Sequence, residues 1–387
     1  MIDKRLTLFI PVACGICFFL GFELSGFQLV LLQVAQSFEL NNVMMGVMVT
    51  SQFIAVTAAP LLFGWTADRF GKKKILLIFL PVFAFGCFGA ALSGTVTAFM
   101  VAAFFVGIGY SISECIASSA LSDSFPGKES KYLNIMQCAF CVGAVLSPQI
   151  LSRLLASGLA TWHAAFFIAG SGFVLLYPFL CFSHCRAPVQ DTVRTELPAQ
   201  QAPRMLSPLL FVLVAAMVAN VAIESGTAFF ANVLFVTEYS NNELGPYAIS
   251  GFWLSMTVSR FIFSLTKIKM RNMILMGFAA SCLLMVVMLL YRNQWVLMGI
   301  YILHGAAMGP IWPMLIGIGT SSFRARSGTV ASILASSGGL AATIIPVVFG
   351  WISTWAGFYG GFWLLVVISA LGFCTIWFGM KTQRSAL

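Results

Sequence analysis

The sequence predicts an all-α membrane protein, twelve transmembrane helices in two six-helix bundles, and three observations carry that prediction. Of 387 residues, 60% are hydrophobic and only 9% are charged, at a mean hydropathy of +0.96. A soluble domain carries about a quarter of its residues as charges, so most of this surface must meet lipid. Apolar runs recur along the chain with polar connectors between them. With about 20 apolar residues needed to cross the hydrocarbon, and roughly 30 per helix plus turn, about a dozen spans fit.

One helix is expected for each of the runs 7–32, 43–64, 75–92, 97–120, 132–156, 162–182, 208–236, 246–265, 272–290, 295–319, 328–352 and 358–379. The first run, Leu6–Leu32, is too long for a cleavable signal peptide and contains Glu23, so it reads as helix 1. Between the second and third runs lies a polar clasp, Gly64–Leu77, with Asp68 and Arg69 followed by Lys72, Lys73 and Lys74. Val43–Phe63 and Ile75–Val106 on either side carry no charge. Connecting backbone must return to water, so the clasp marks one membrane face. Ser183–Ser207 is the one sizeable connector, polar and proline-rich, with Arg186, Pro188, Asp191, Arg194, Glu196, Pro198, Pro203 and Arg204. It divides the chain into a bundle over 1–182, a cytoplasmic linker over 183–207 and a bundle over 208–387.

Orientation follows from the basic residues. With both termini in the cytoplasm, 18 of the 21 Lys and Arg fall in inner loops or at the ends; Arg153, Arg260 and Arg292 are the other three. So uneven a split sets amino and carboxyl ends inside. The halves echo one another at an offset near 198 residues. Pro148 falls on Pro346, Arg69 on Lys267, and Glu224 lies near the counterpart of Glu23. Two like-oriented six-helix units suit an alternating-access transporter.

Other classes are poorly served. The net charge of +9 is spread over many short loops, with no basic stripe of interleaved aromatics, so nucleic acid is not an expected partner. The ten cysteines lie mostly inside apolar runs without His or acid neighbours, which points to packing rather than a disulfide or metal site. Three scattered histidines and no nucleophile–base set leave an enzyme without chemistry.

Three carboxyls fall within spans: Glu23, Glu114 and Glu224. An unpaired charge at mid-bilayer costs roughly 2.5–3.5 kcal/mol on insertion scales, so such groups usually face an internal cavity. At about 1.5 Å per residue, Glu23 and Glu224 lie about 22–24 Å from the inner ends of their helices, and Glu114 about 12 Å. Acids at both depths are candidates for a proton entering from one side and leaving on the other. The competing reading is that each Glu only bonds a polar group between helices. Arg260, near the inner end of helix 8, is a candidate inner gate, or a side chain extending to water. Gln28, Gln52, Gln137, Asn220, Asn232, Trp253, His304 and Trp312 are candidates to line a cavity, with plain helix packing the alternative for each. Pro148, Pro310, Pro313 and Pro346 would loosen helices at mid-span.

The spacing Gly64-x-x-x-Asp68-Arg69-x-Gly71-Lys72-Lys73 resembles the helix 2–3 motif of the major facilitator superfamily, and the likeness runs over essentially the whole chain. The resemblance implies that superfamily's fold, with Asp68 latching against neighbouring helix ends in the outward-facing state. Within it, the sequence looks most like the fucose/glucose/galactose–proton symporter family. The region Glu114 to Ala144, ending KYLNIMQCAFCVGA, is similar to that family's helices 4 and 5. Glu114 then matches an acid implicated in proton coupling, and Gln137 matches the Gln of the next helix. Ala222-Ile223-Glu224, Phe252-Trp253, Ser259-Arg260 and Gly309-Pro310-Ile311-Trp312-Pro313 are similar to that family's second half. Two positions depart from it. Ser25 stands where the family has a helix 1 Asp, and Phe140 where sugar carriers have a helix 5 Asn.

The resulting expectation is a proton-coupled secondary transporter of the inner membrane, importing a sugar or similar small polar solute. Glu114, Glu224 and Glu23 would couple protons. Gln137, Trp312, Trp253, His304, Asn220 and Gln28 would bind substrate. Gly64, Asp68, Arg69, Gly71, Lys72 and Arg260 would gate. Sodium is the alternative ion, lipid the surrounding partner, and a monomer without metal or cofactor the expected unit. The alternative function is a proton-antiport exporter of an amphipathic compound, favoured by Phe140, 37 Phe and 18 Met. A sensor or scaffold on the same fold is a third class.

Overall fold

A computed structural model describes residues 4–125, 129–185, 207–264, 266, 268–323 and 327–380. Contacts divide the chain into two compact units, Met1–Gln190 and Asp191–Leu387. All regular structure among the described residues is helical. That follows from the solvent: in hydrocarbon, only a helix or a closed barrel satisfies every backbone N–H and C=O.

The first unit holds α1 (Lys4–Ser37), α2 (Asn42–Phe70), α3 (Lys72–Ala91), α4 (Val96–Ser124), α5 (Glu129–Ala156) and α6 (His163–Phe182). Small residues set its seams. Gly21 of α1 faces the Phe140 carbonyl of α5, and Gly143 of α5 faces the Phe18 carbonyl of α1. The two backbones thus approach reciprocally, as lipid-embedded helices do when small residues line their contact. Gly107 of α4 lies against the Gln52 carbonyl of α2 in the same way, and a methyl group on Gly86 of α3 would fall 2.5 Å from the Val106 nitrogen of α4. Aromatic rings fill the remaining space, with Phe83 and Phe173 stacked at 4.1 Å between α3 and α6.

The clasp differs from the loop its polarity predicts. Helix α2 runs through Asp68 and Arg69 to Phe70, α3 starts at Lys72, and Gly71 alone turns the chain, at φ 92° and ψ 133°. A left-handed φ costs glycine almost nothing, so one residue suffices.

The second unit holds α7 (Pro208–Tyr239), α8 (Leu244–Ser264), α9 (Met270–Leu290), α10 (Gln294–Met308), α11 (Ile311–Ser322) and α12 (Ser327–Gly379). Two of these elements depart from one run, one helix. The run 295–319 is a single span interrupted at Gly309–Pro310, giving α10 and α11. Conversely, α12 is 53 residues long, about 80 Å if straight, against a hydrocarbon thickness of about 30 Å. Its break is Gly357, at φ 69° and ψ 174°. Across that break the chain folds back, for Phe349 meets Phe362 edge-on at 5.2 Å, and Gly361 lies over the Phe349 ring. Helix α12 is therefore two spans. Ten stretches among the described residues are long and apolar enough to cross a membrane; the 47-residue stretch Ile333–Gly379 counts once among them and α8 is not included. With α8 counted, α10 and α11 taken as one span and α12 as two, the described residues form twelve spans, six in each unit.

The linker residues 186–206 lie outside the described residues. So do Lys128, Lys267, Arg324, Arg326, Lys381 and Arg384 among the charges used for orientation.

Candidate functional site

Each unit holds an acid within an apolar span, under the influence of a polar or charged side chain of a neighbouring helix. In the first unit, Glu114 of α4 is half-buried and hydrogen-bonded by the Gln137 side chain of α5, which is itself exposed. Cys17 of α1 lies within electrostatic reach of the same carboxyl, and Cys14, one turn earlier on α1, is likewise near Cys138 of α5. Helices α1, α4 and α5 thus bring Glu114, Gln137 and two thiols to one side.

Glu23 is different. It is 1% exposed, and Gln52 of α2, equally buried, donates its amide Nε2 to both carboxylate oxygens at 3.2 and 3.1 Å. It is a sealed contact between α1 and α2, closed on the α4 side by Gly107. Gln28 is buried in the same helix at 2% exposure.

In the second unit, Glu224 of α7 is half-buried, and Arg260 of α8 acts on its carboxyl through space. Asn220, one turn earlier on the same face of α7, is fully buried, and neither its Oδ1 nor its Nδ2 has a hydrogen-bond partner in the protein. A buried amide left this way is unusual, since nearly all buried polar groups are satisfied. Trp312, between Pro310 and Pro313, is 40% exposed, whereas Trp253 is buried edge-on against Phe252 at 5.8 Å.

His304 of α10 is sealed in a seam. Its Nε2 lies 3.3 Å from Ser281 Oγ of α9, which lies 3.2 Å from Ser369 Oγ of α12.

The clasp stitches the first unit together at one end. Lys72 is 8% exposed and its Nζ donates to the Asp123 carboxylate and the Ser119 hydroxyl in the last turns of α4. Lys73 donates to the carbonyls of Cys181 and Ser183, at 2.8 and 2.6 Å, closing the carboxyl end of α6. Arg69 is exposed and packs over the Phe70 ring at 5.6 Å. The side-chain surroundings of Gly64 and Asp68 lie outside the described residues.

The sequence did not point to Asp123 as the partner of Lys72, nor to Ser281 and Ser369 as partners of His304. Asp123 had a signal, being an acid just past the apolar run 97–120. Serines in apolar runs had none. Among the described residues no group of three His, Cys, Asp or Glu side chains is arranged to hold a metal ion.

The sequence profile of the Major Facilitator Superfamily matches residues 12–269. The chain belongs to that superfamily. The inner membrane transport protein YdiN of Escherichia coli K12 is 23% identical over 356 residues, 87% of this chain and 83% of that protein. An uncharacterized MFS-type transporter of Bacillus subtilis, YdgK, is 26% identical over 137 residues, 35% of this chain and 34% of that one. Among solved structures, a D-xylose–proton symporter superposes with a TM-score of 0.79 at 16% identity, covering 97% of this chain and 98% of that one. The nucleoside transporter NupG, solved as a point mutant, superposes at 0.76 and 14% identity, covering 99% and 100%. At such identities these superpositions establish the fold, two six-helix bundles, and nothing about cargo.

Proposed function

We propose that this superfamily member is a proton-coupled secondary active transporter importing a sugar or similar small polar solute across the inner membrane by alternating access. One observation carries the reading: Glu114 is held half-buried at depth in the spans, bonded by an exposed amide, Gln137, from the next helix. A carboxyl of that kind can exchange its proton with water while its neighbour meets a polar ligand. In the first unit Gln137 presents an exposed amide that a polar solute would bond, and in the second Trp312 presents a partly exposed ring of the kind on which a sugar stacks.

In this mechanism protonation of Glu114 removes its charge, which permits the loaded bundles to rock, and cytoplasmic pH reverses it. Glu224 and Arg260 play the corresponding electrostatic part in the second unit. The excess of Lys and Arg in alternate loops supports cytoplasmic termini, and the inner-membrane assignment of the YdiN relative supports that location.

An exporter of amphipathic compounds would need an adaptable apolar pocket. Phe140, its best sequence support, is buried, with its carbonyl packed against Gly21, and this favours the import reading.

The test starts from a thermal-shift screen of the purified chain against pentoses, hexoses and nucleosides, since a ligand that binds the folded state raises its melting point. The hit is then followed in proteoliposomes. Glu114→Gln should abolish uptake driven by an imposed proton gradient yet retain equilibrative exchange. Undiminished gradient-driven uptake in that variant sinks the assignment.

A further inference from the structure

The break between α10 and α11 is closed by a side chain from another helix. In an α-helix the N–H of residue i+4 serves the carbonyl of residue i, and proline has no N–H. Pro313 therefore leaves the Gly309 carbonyl without its helical donor. Arg260 of α8 supplies one, its Nε donating to Gly309 O at 2.9 Å, while its Nη2 rests 3.3 Å from Met256 Sδ. The backbone at the break stays helical in its angles, with Gly309 at φ −47°, ψ −50° and Pro310 at φ −77°, ψ −17°. What the break lacks is hydrogen bonds, and one of them comes from Arg260.

The rest of the α8–α10 contact brings Arg260 to that position. Ser255 Oγ donates to the Ile302 carbonyl at 2.6 Å, a turn later a methyl group on Gly305 would fall 2.5 Å from Ser255 Oγ, and one on Gly309 would fall 2.6 Å from the Met256 carbonyl. Each turn of α8 grips α10 down to the break. At the same time Glu224 of α7 lies in the field of the same guanidinium. The other charged groups described in this unit sit at helix ends: Glu238 and Glu243, Lys269 and Arg271, and Arg292, which lies over the Tyr359 ring at 4.2 Å. His304, on α10, is taken up by Ser281.

We propose that Arg260 is a positioning residue that braces the bend of the α10–α11 span, its guanidinium supplying to the Gly309 carbonyl the donor that Pro313 withholds. The brace stands whether or not protons drive flux.

Amide hydrogen exchange over residues 305–318, measured on the full chain in lipid nanodiscs at one pH, reads the break directly. Arg260→Met should raise exchange in this segment about tenfold, the worth of a charge-assisted hydrogen bond, with α9 unchanged as the control for folding. Adding Pro313→Ala returns a helical N–H to the Gly309 carbonyl, so R260M/P313A should bring exchange back to the native level. Native exchange in R260M, or raised exchange that P313A does not restore, overturns the brace. Should R260M not fold, Arg260→Lys, which keeps the charge but lacks Nε, is held to the same expectations. The readout needs no substrate. A break that behaves as stated, with no proton-driven flux, would count against the transport reading alone.

Discussion

Gln52 offers a single amide nitrogen to both oxygens of the Glu23 carboxyl, while its own Oε1 is buried without a partner. The pair joins α1 to α2 in the interior of the first unit, with both residues 1% exposed. Glu114 and Glu224, by contrast, keep part of their surface. Of the three membrane acids, Glu23 is thus the one sealed between helices, and the energetics of its partner can be tested.

Gln52→Leu removes the amide donor and leaves a buried carboxyl unsatisfied, at a cost of about 1–3 kcal/mol. Replacing both partners by apolar groups avoids that penalty, so E23L/Q52L should be more stable than Q52L alone. Thermal unfolding of the detergent-purified variants orders the three proteins. Equal midpoints for native and Q52L protein would remove any structural role for the pair.

The α1–α5 seam gives a second prediction. Gly143→Ala drives a methyl group into the Phe18 carbonyl, and backbone cannot swing aside as a side chain can. A loss of about 1–3 kcal/mol is expected, as for other overpacked interiors. Gly94→Ala, with nothing within 4 Å of the added carbon, serves as the control and should stay within about 0.5 kcal/mol of native. Retention on size-exclusion after a graded heat challenge separates them, and equal survival of the two variants contradicts the close approach.

The spans were legible because lipid leaves the backbone few options, and a long apolar run therefore has one reading. Gly357 was legible too, lying in the gap between the runs 328–352 and 358–379. The clasp was misread as a loop because charge density marks water, not irregular backbone; a helix can carry Asp68 and Arg69 into the interface and turn on Gly71 alone. Pro313 advertised a weakened helix. Nothing in the sequence said that Arg260, 49 residues earlier than Gly309, would fill the missing bond. Partners so far apart depend on which helices pack together, and periodicity says only which residues share a face.

Lys72 and Asp123 supply a third test. Removing one member strands a charge that is buried for Lys72 and about a quarter exposed for Asp123, so solvent screens part of the loss. Asp123→Ala should cost about 1–3 kcal/mol, and the exchanged pair K72D/D123K should recover part of it. Denaturant midpoints for the two variants decide it: if the exchanged pair is no more stable than D123A, the contact is not one of charge.

The last prediction concerns a proton's position. Ser369 Oγ donates to the Leu365 carbonyl at 2.9 Å, so its contact with Ser281 must be one in which Ser281 is the donor. With its hydrogen spent there, Ser281 Oγ can only accept from His304, which requires the imidazole to carry its hydrogen on Nε2. Ser369→Ala frees the Ser281 hydrogen to turn toward the imidazole, and the ring should then change to the tautomer protonated on Nδ1. The chain has three histidines, so ring nitrogen-15 resonances can be assigned with a single His304→Gln variant. Native protein should show the Nε2–H pattern for His304 and S369A the Nδ1–H pattern. The same tautomer in both proteins would show that the hydrogen bonds do not run in one direction from α10 through α9 to α12.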